Sequence, residues 1–184
     1  MGHKFSEIAF TPAVKTLQEE NGSRRSYARF EAGADHHDQM GPAEAQFIAA
    51  RDSFYMASTS ETGWPYIQHR GGPKGFLQVL GSKELGFADL SGNRQFITRG
   101  NLLGDDRVSL FLMDYPNKSR LKIFGRARVS DDPELIARLT MPDYGAKVER
   151  AMLIAIEAFD WNCPKHITPR YSLNEIMALK EMFQ

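Results

Sequence analysis

The sequence predicts a mainly β domain, an antiparallel and closed or nearly closed barrel with helices at its periphery. Short runs of alternating apolar and polar residues follow one another across turns rich in Gly, Pro and Asn, which is the pattern of a meander of hairpins. Helix signals are few and short, and a long apolar run near residue 150 offers a closing strand. The count of runs suits a barrel of about six to eight strands.

From the N-terminus, Thr11-Pro12 reads as a cap followed by a first helical turn, with Val14 and Leu17 on one face and Asn21-Gly22 as a stop. Gly22 to Gly41 is polar and rich in Gly, Ser, Asp and His, which predicts a loop or extended arm that could drape over a partner subunit. Pro42 to Arg51 predicts a second helix with Phe47 and Ile48 inward. Ser53 to Thr59 and Trp64 to Arg70 then form a hairpin around Glu61-Thr62-Gly63. Phe76 to Leu80 pairs with Leu85 to Asp89, and Arg107 to Tyr115 pairs with Arg120 to Ser130. Gly92 to Leu103 predicts a helix closed by Gly104, and Asp132-Pro133 caps a small one that turns Leu135, Ile136 and Leu139 inward. A strand from Lys147 to Trp161 follows. Ser172 and Glu175 make a capping box for a last helix with Ile176, Met177 and Leu179 on its apolar face, Met177 and Met182 being at packing spacing. Residues 1–52 are expected to be helices and a polar arm packing on the barrel, and residues 53–184 the barrel with its C-terminal helix, as one structural domain overall.

Composition narrows the function. Of the 184 residues 42% are hydrophobic, enough for a core without staples. Lys plus Arg and Asp plus Glu number 23 each, a formal net charge of +0 that argues against a nucleic-acid binder. A bound anion must then be met by a local cluster. Cys163 is the only cysteine, which excludes an internal disulfide and fits a reducing compartment. Met1 to Phe10 lacks a secretory apolar core, and Ala151 to Phe159, interrupted by Glu157, is too short to span a bilayer. The expected location is cytoplasmic.

The chemistry concentrates in His69-Arg70-Gly71-Gly72-Pro73-Lys74-Gly75-Phe76-Leu77-Gln78 and, one strand later, Phe87-Ala88-Asp89-Leu90-Ser91-Gly92-Asn93-Arg94-Gln95. Ser91-Gly92-Asn93 would open the helix beginning at Gly92, where free N–H groups and the positive end of the dipole favour an anion. Arg70 and Arg94 could clamp a phosphate through planar charge-assisted bonds, with Lys74 as a third cation. Glycines at 71, 72, 75 and 92 permit close backbone approach to a planar ligand, and Phe76 and Phe87 could supply apolar surface beside its ring. Each feature alone also describes an ordinary strand end, turn or helix start; physics by itself reaches only a phosphorylated ligand. Cys163-Pro164-Lys165-His166 has the gap of a metal half-site but no second pair at matching spacing, and His36-His37 reads as solvent-facing.

These segments resemble the pyridoxamine 5′-phosphate oxidase-like family of FMN-binding split barrels, in its predicted flavin-nucleotide-binding branch. Gly63-Trp64-Pro65 is similar to the family's G-x-P hairpin, Arg70 to its leading phosphate arginine, and Phe87-Ala88-Asp89 with Ser91 to Gln95 to its F-Y-T and S-R-K segments. Phe124-Gly125-Arg126-Ala127 resembles its I-G-x-A strand. The resemblance implies an antiparallel split β-barrel, an FMN cofactor, a homodimer with FMN at the subunit interface, and cofactor contacts from His69, Arg70, Lys74, Gly75, Phe76, Gln78, Phe87, Asp89, Ser91, Asn93, Arg94, Gln95, Arg120, Trp161 and Arg170. For Trp161 a barrel-end core position, and for Arg170 a structural salt bridge, are competing readings. Gln78 stands where the oxidase has lysine, and Arg120 where it has a glutamine at the flavin edge. The closing R-x-H-x-R run reads His166-Ile167-Thr168-Pro169-Arg170, so only its last arginine is kept and the true oxidase reaction is disfavoured. An FMN-dependent oxidoreductase with an unassigned small substrate or nicotinamide donor is the leading expectation. The alternatives are a non-catalytic flavin carrier or sensor, and a haem-binding relative in which His69 would ligate iron. No side chain is assigned a catalytic role, and no metal is expected.

Overall fold

The computed structural model describes residues 2–161 and 163–181, so Met182 lies outside the described residues. The chain begins with α1 (Lys4–Ala9), α2 (Pro12–Glu20) and α3 (Arg24–Glu31), and α4 (Pro42–Ala49) leads into the sheet. As expected, Thr11 caps α2: its hydroxyl accepts from the Val14 N–H at 3.4 Å. The arm from Gly22 to Gly41 is not an open loop throughout. Arg24 ties α3 to Gln18 of α2, Lys15 of α2 pairs with Glu31 at 3.3 Å, and Tyr27 sits edge-on to Phe10 at 5.2 Å, so tertiary contacts stabilise a short helix that its polar composition conceals. Phe5 of α1 stacks on Phe124 at 4.7 Å and carries the leading helices onto the sheet.

The strands are β1 (Ser53–Thr59), β2 (Pro65–Gly71), β3 (Gln78–Gly81), β4 (Glu84–Leu90), β5 (Arg107–Asp114), β6 (Ser119–Ser130) and β7 (Val148–Trp161). They form one antiparallel sheet in the order β2-β1-β5-β6-β7-β4-β3. Alternation decides which face is buried: Phe54 and Met56 on β1, Leu110 and Leu112 on β5, and Leu121 and Ile123 on β6 point into a common core. The sheet curls round that core as a split barrel, with β2 and β3 as its two unpaired edges. Register shifts in the β6–β7 ladder between Phe124 and Gly125, where a Cβ on Gly125 would meet the Ala155 carbonyl oxygen at 2.6 Å; only glycine fits.

Two elements between the strands differ from expectation. The strand predicted from Phe76 begins only at Gln78, because Gly75 adopts φ +81 and Phe76 and Leu77 turn into the core. The helix predicted from Gly92 begins only at Ile97, as α5 (Ile97–Gly104). Arg94 and Phe96 take left-handed φ values of 59 and 55, which no α-helix accommodates. α6 (Pro133–Leu139) is capped by the Asp132 carboxylate, which accepts from the Glu134 N–H at 3.0 Å. The predicted capping box of α7 (Leu173–Glu181) forms: Ser172 N–H donates to Glu175 at 2.7 Å, and Glu175 N–H donates to the Ser172 hydroxyl at 3.3 Å.

Candidate functional site

Charge collects at the split. On β2, Tyr66, Gln68 and Arg70 face the barrel opening and are half-buried, whereas Ile67 and His69 face outward. Between that inner face of β2, the end of β4 and the loop into α5 lies a cavity of about 80 Å³. Arg70, Arg94, Arg99 and Arg150 line it against two carboxylates, Asp89 and Glu149, so a chain of formal net charge +0 concentrates positive charge here.

Arg70 Nη1 donates to Asp89 Oδ1 at 3.0 Å, across the split where β2 and β4 share no backbone ladder. Arg150 Nη1 stands 3.8 Å from the other Asp89 oxygen and 3.1 Å from Glu149. The Arg70 and Asp89 side chains are only 16% and 17% exposed, so this pair is largely shielded from water. Arg70 Nε is buried and has no hydrogen-bond partner. The 91–96 loop is shaped locally. Asn93 Oδ1 accepts from the Gln95 N–H at 3.2 Å, and the Arg94 guanidinium lies 5.8 Å from the Phe96 ring centroid. Thr98 donates to Gln68 at 2.9 Å and Asn101 to Ser58 at 2.9 Å, which fixes α5 against β1 and β2.

A second constellation occupies the outer face of the same sheet. Arg120, His166, Thr168 and Arg170 border a groove of about 470 Å³ whose aromatic floor includes Tyr55 and Phe111. Arg120 Nη2 donates to the Cys163 carbonyl at 3.1 Å, its guanidinium lies 6.0 Å from the Phe111 centroid, and its Nε is buried without a partner. Arg170 covers Tyr115 at 5.0 Å. Phe54 and Tyr55, or Leu110 and Phe111, are successive residues pointing to opposite faces, so the sheet itself separates this groove from the basic cavity.

The expected site residues therefore divide. Arg70, Asp89, Asn93, Arg94 and Gln95 share the cavity, and Arg120 and Arg170 share the outer groove. The rest stand apart. His69 is edge-on to Tyr55 on the outer face, with ring centroids 5.6 Å apart. Lys74 is exposed on its turn, and its charge reaches Glu175 rather than the cavity. Glu175 is held below the usual carboxylate range first by the Ser172 N–H, then by the Ser172 hydroxyl, with Lys74 adding to the pull. Gly75 donates its N–H to the Arg51 carbonyl at 3.0 Å. Phe76 and Phe87 pack against Phe54 inside the core, and the Arg70 guanidinium lies 5.7 Å from the Phe87 ring centroid. Gln78 reaches the Leu139 carbonyl at 3.5 Å. Ser91 is exposed, its N–H taken by Lys147, and it opens no helix. Trp161 takes its barrel-end reading: its Nε1 donates to Glu44 at 2.9 Å and its ring meets Phe47 edge-on at 4.8 Å.

Sequence reasoning missed Gln68, Arg99, Glu149 and Arg150. Arg150 faces Asp89 only through the β4–β7 register, a pairing that no local motif reveals.

A split antiparallel barrel with a basic cavity at its opening defines a fold class, and comparison with known proteins places the chain within it. The profile of the pyridoxamine 5′-phosphate oxidase family matches residues 40–163, and the chain belongs to that family. HupZ of Group A Streptococcus superposes with a TM-score of 0.54 at 12% identity, covering 72% of this chain and 100% of its own. A Lactobacillus delbrueckii protein provisionally named as a pyridoxamine 5′-phosphate oxidase gives a TM-score of 0.51 at 17% identity, over 67% of this chain and 94% of its own. A conserved hypothetical protein of Mycobacterium tuberculosis gives 0.50 at 16% identity, over 77% and 97%. At these identities the likeness is one of fold. No curated protein matches the chain.

Proposed function

We propose that this protein binds FMN and acts as an FMN-dependent oxidoreductase, as a homodimer with one FMN in each of two symmetric subunit grooves. The observation that carries the proposal is the pair of arginines on opposite faces of one sheet, Arg70 lining the cavity and Arg120 lining the outer groove, each with a buried Nε–H that has no acceptor. A phosphorylated, partly anionic ring system suits both donors. One molecule can meet both only if a second copy sets its outer groove against the first copy's cavity.

In this reading Arg70 and Arg94 hold the phosphate, with Asn93 and Gln95 shaping the loop around it. Arg120 and Arg170 of the other copy face the ring. Bound FMN would supply reversible electron transfer. The protein's share is binding, orientation and electrostatics. The altered His166 to Arg170 run favours a substrate other than pyridoxine phosphate.

The test is direct. Freshly purified protein should show a flavin spectrum and release FMN on denaturation. Arg70→Ala and Arg94→Ala should each weaken FMN binding by at least about 1 kcal/mol, the scale of lost charge-assisted bonds. Colourless protein that takes up no added FMN would refute the binding. Anaerobic NADH or NADPH should reduce the bound flavin well beyond the rate of free flavin; no acceleration with either donor would favour a carrier or sensor.

A further inference from the structure

Arg70 spans the barrel split, and one residue fixes where its guanidinium points. Asp89 Oδ1 accepts from Nη1 at 3.0 Å, the guanidinium lies 5.7 Å from the Phe87 ring centroid, Nε is buried without a hydrogen-bond partner, and the side chain lines the cavity. Asp89 also lies 3.8 Å from Arg150, itself 3.1 Å from Glu149, so the carboxylate belongs to a charged network anchored on β4 and β7. β2 and β4 have no ladder between them. A long arginine side chain on the edge strand β2 would otherwise sample many rotamers, and ordering it on binding would cost affinity.

We propose that Asp89 is a positioning residue for the phosphoryl group. It holds Arg70 from the far side of the split, in the absence of ligand, so that the guanidinium stays aimed along the cavity wall. This deepens the reading of the cavity as the phosphate end of an FMN site and rests on it. The chemistry selected is a phosphoryl oxygen meeting the remaining donors of an already paired guanidinium that lines the cavity. Because the Asp89–Arg70 contact is a hydrogen bond as well as an ion pair, an uncharged acceptor at position 89 should keep the aim, and a methyl group should not.

The experiment is a double-mutant cycle in FMN affinity, with riboflavin as the probe lacking phosphate. Asp89→Ala should weaken FMN binding about tenfold or more while riboflavin binding stays within about twofold, and Asp89→Asn should restore most of the FMN affinity. In an Arg70→Ala background, Asp89→Ala should cost no further affinity, since Asp89 acts through Arg70. Equal losses for FMN and riboflavin would assign Asp89 a merely structural role and overturn the proposal, as would additive losses from the two substitutions. If Arg70→Ala itself leaves FMN affinity unchanged, the phosphate reading of the cavity fails first. Should Arg70→Ala weaken binding while Asp89→Ala does not, that reading stands and the positioning role falls.

Discussion

Arg70 and Arg120 share one feature: each is fixed through an Nη donor, and each keeps a buried Nε–H without an acceptor. An unmet buried donor costs about 1–3 kcal/mol, a cost that an acceptor brought within reach would offset. For Arg120, which the family resemblance sets at the pyrimidine side of the flavin, the consequence is electrochemical. Its charge would stabilise the negative charge gained on reduction, so Arg120→Ala should lower the midpoint potential of the bound flavin by roughly 20–60 mV, equivalent to about 1–3 kcal/mol in a two-electron couple. Spectroelectrochemical titration measures this, and an unchanged potential would reject the role. Arg70 and Arg94 were legible in the sequence because each lies in a run of turn and donor residues beside a strand. Asp89 was legible as a site residue but not as the partner of Arg70, since the pair joins strands that form no ladder, and Arg150 meets Asp89 only through the β4–β7 register. Phe76 and Phe87 lie in the core, a position that the sequence does not distinguish from a ring site, because aromatic residues beside glycines suit both.

At the scale of elements, the strands were readable because a period of two leaves a strong signature wherever one face is buried, and their limits fall within a few residues of expectation. α1 and α3 were not, because their stability comes from contacts remote in sequence. Phe5 stacks on Phe124, and Phe30 lies 4.0 Å from the His3 ring. His3 itself predicts a pH response. It is only 2% exposed, it stacks on His37 at 4.2 Å, and neither ring nitrogen has a partner. Burial, followed by the nearby charge of His37, holds its pKa below the ordinary 6.5, with Asp160 and Asp35 opposing. With the folded value the lower one, the unfolded arm takes up the proton first. The contribution of His3 is therefore intact above about pH 6.5 and declines as pH falls below it. Hydrogen exchange at the amides of residues 4–9, corrected for intrinsic rate, should accelerate between about pH 7.5 and 5.5. His3→Phe, which keeps the stack without a titrating nitrogen, should remove that dependence; protection unchanged with pH in the unaltered protein would contradict it.

The whole molecule carries surface that one copy does not cover. On α7, Leu173 is 79% and Met177 63% exposed, and Ile67 of β2 is 63% exposed beside the outer groove. Among the described residues no helix is long and apolar enough to cross a membrane. Exposed apolar area of this kind fits the proposed pairing of two copies about a twofold axis. On the proposed pairing, the cavity of one copy would be completed by the groove of the other, and a variant defective in each half should complement the other. Coexpressing Arg70→Ala and Arg120→Ala chains under separate tags tests this, because a mixed dimer holds one doubly altered site and one intact site. Random pairing predicts that about one quarter of all sites recover wild-type FMN affinity, whereas either variant alone has none. If the mixed population shows no tight sites, although the two chains copurify, the cavity and the groove do not belong to one ligand.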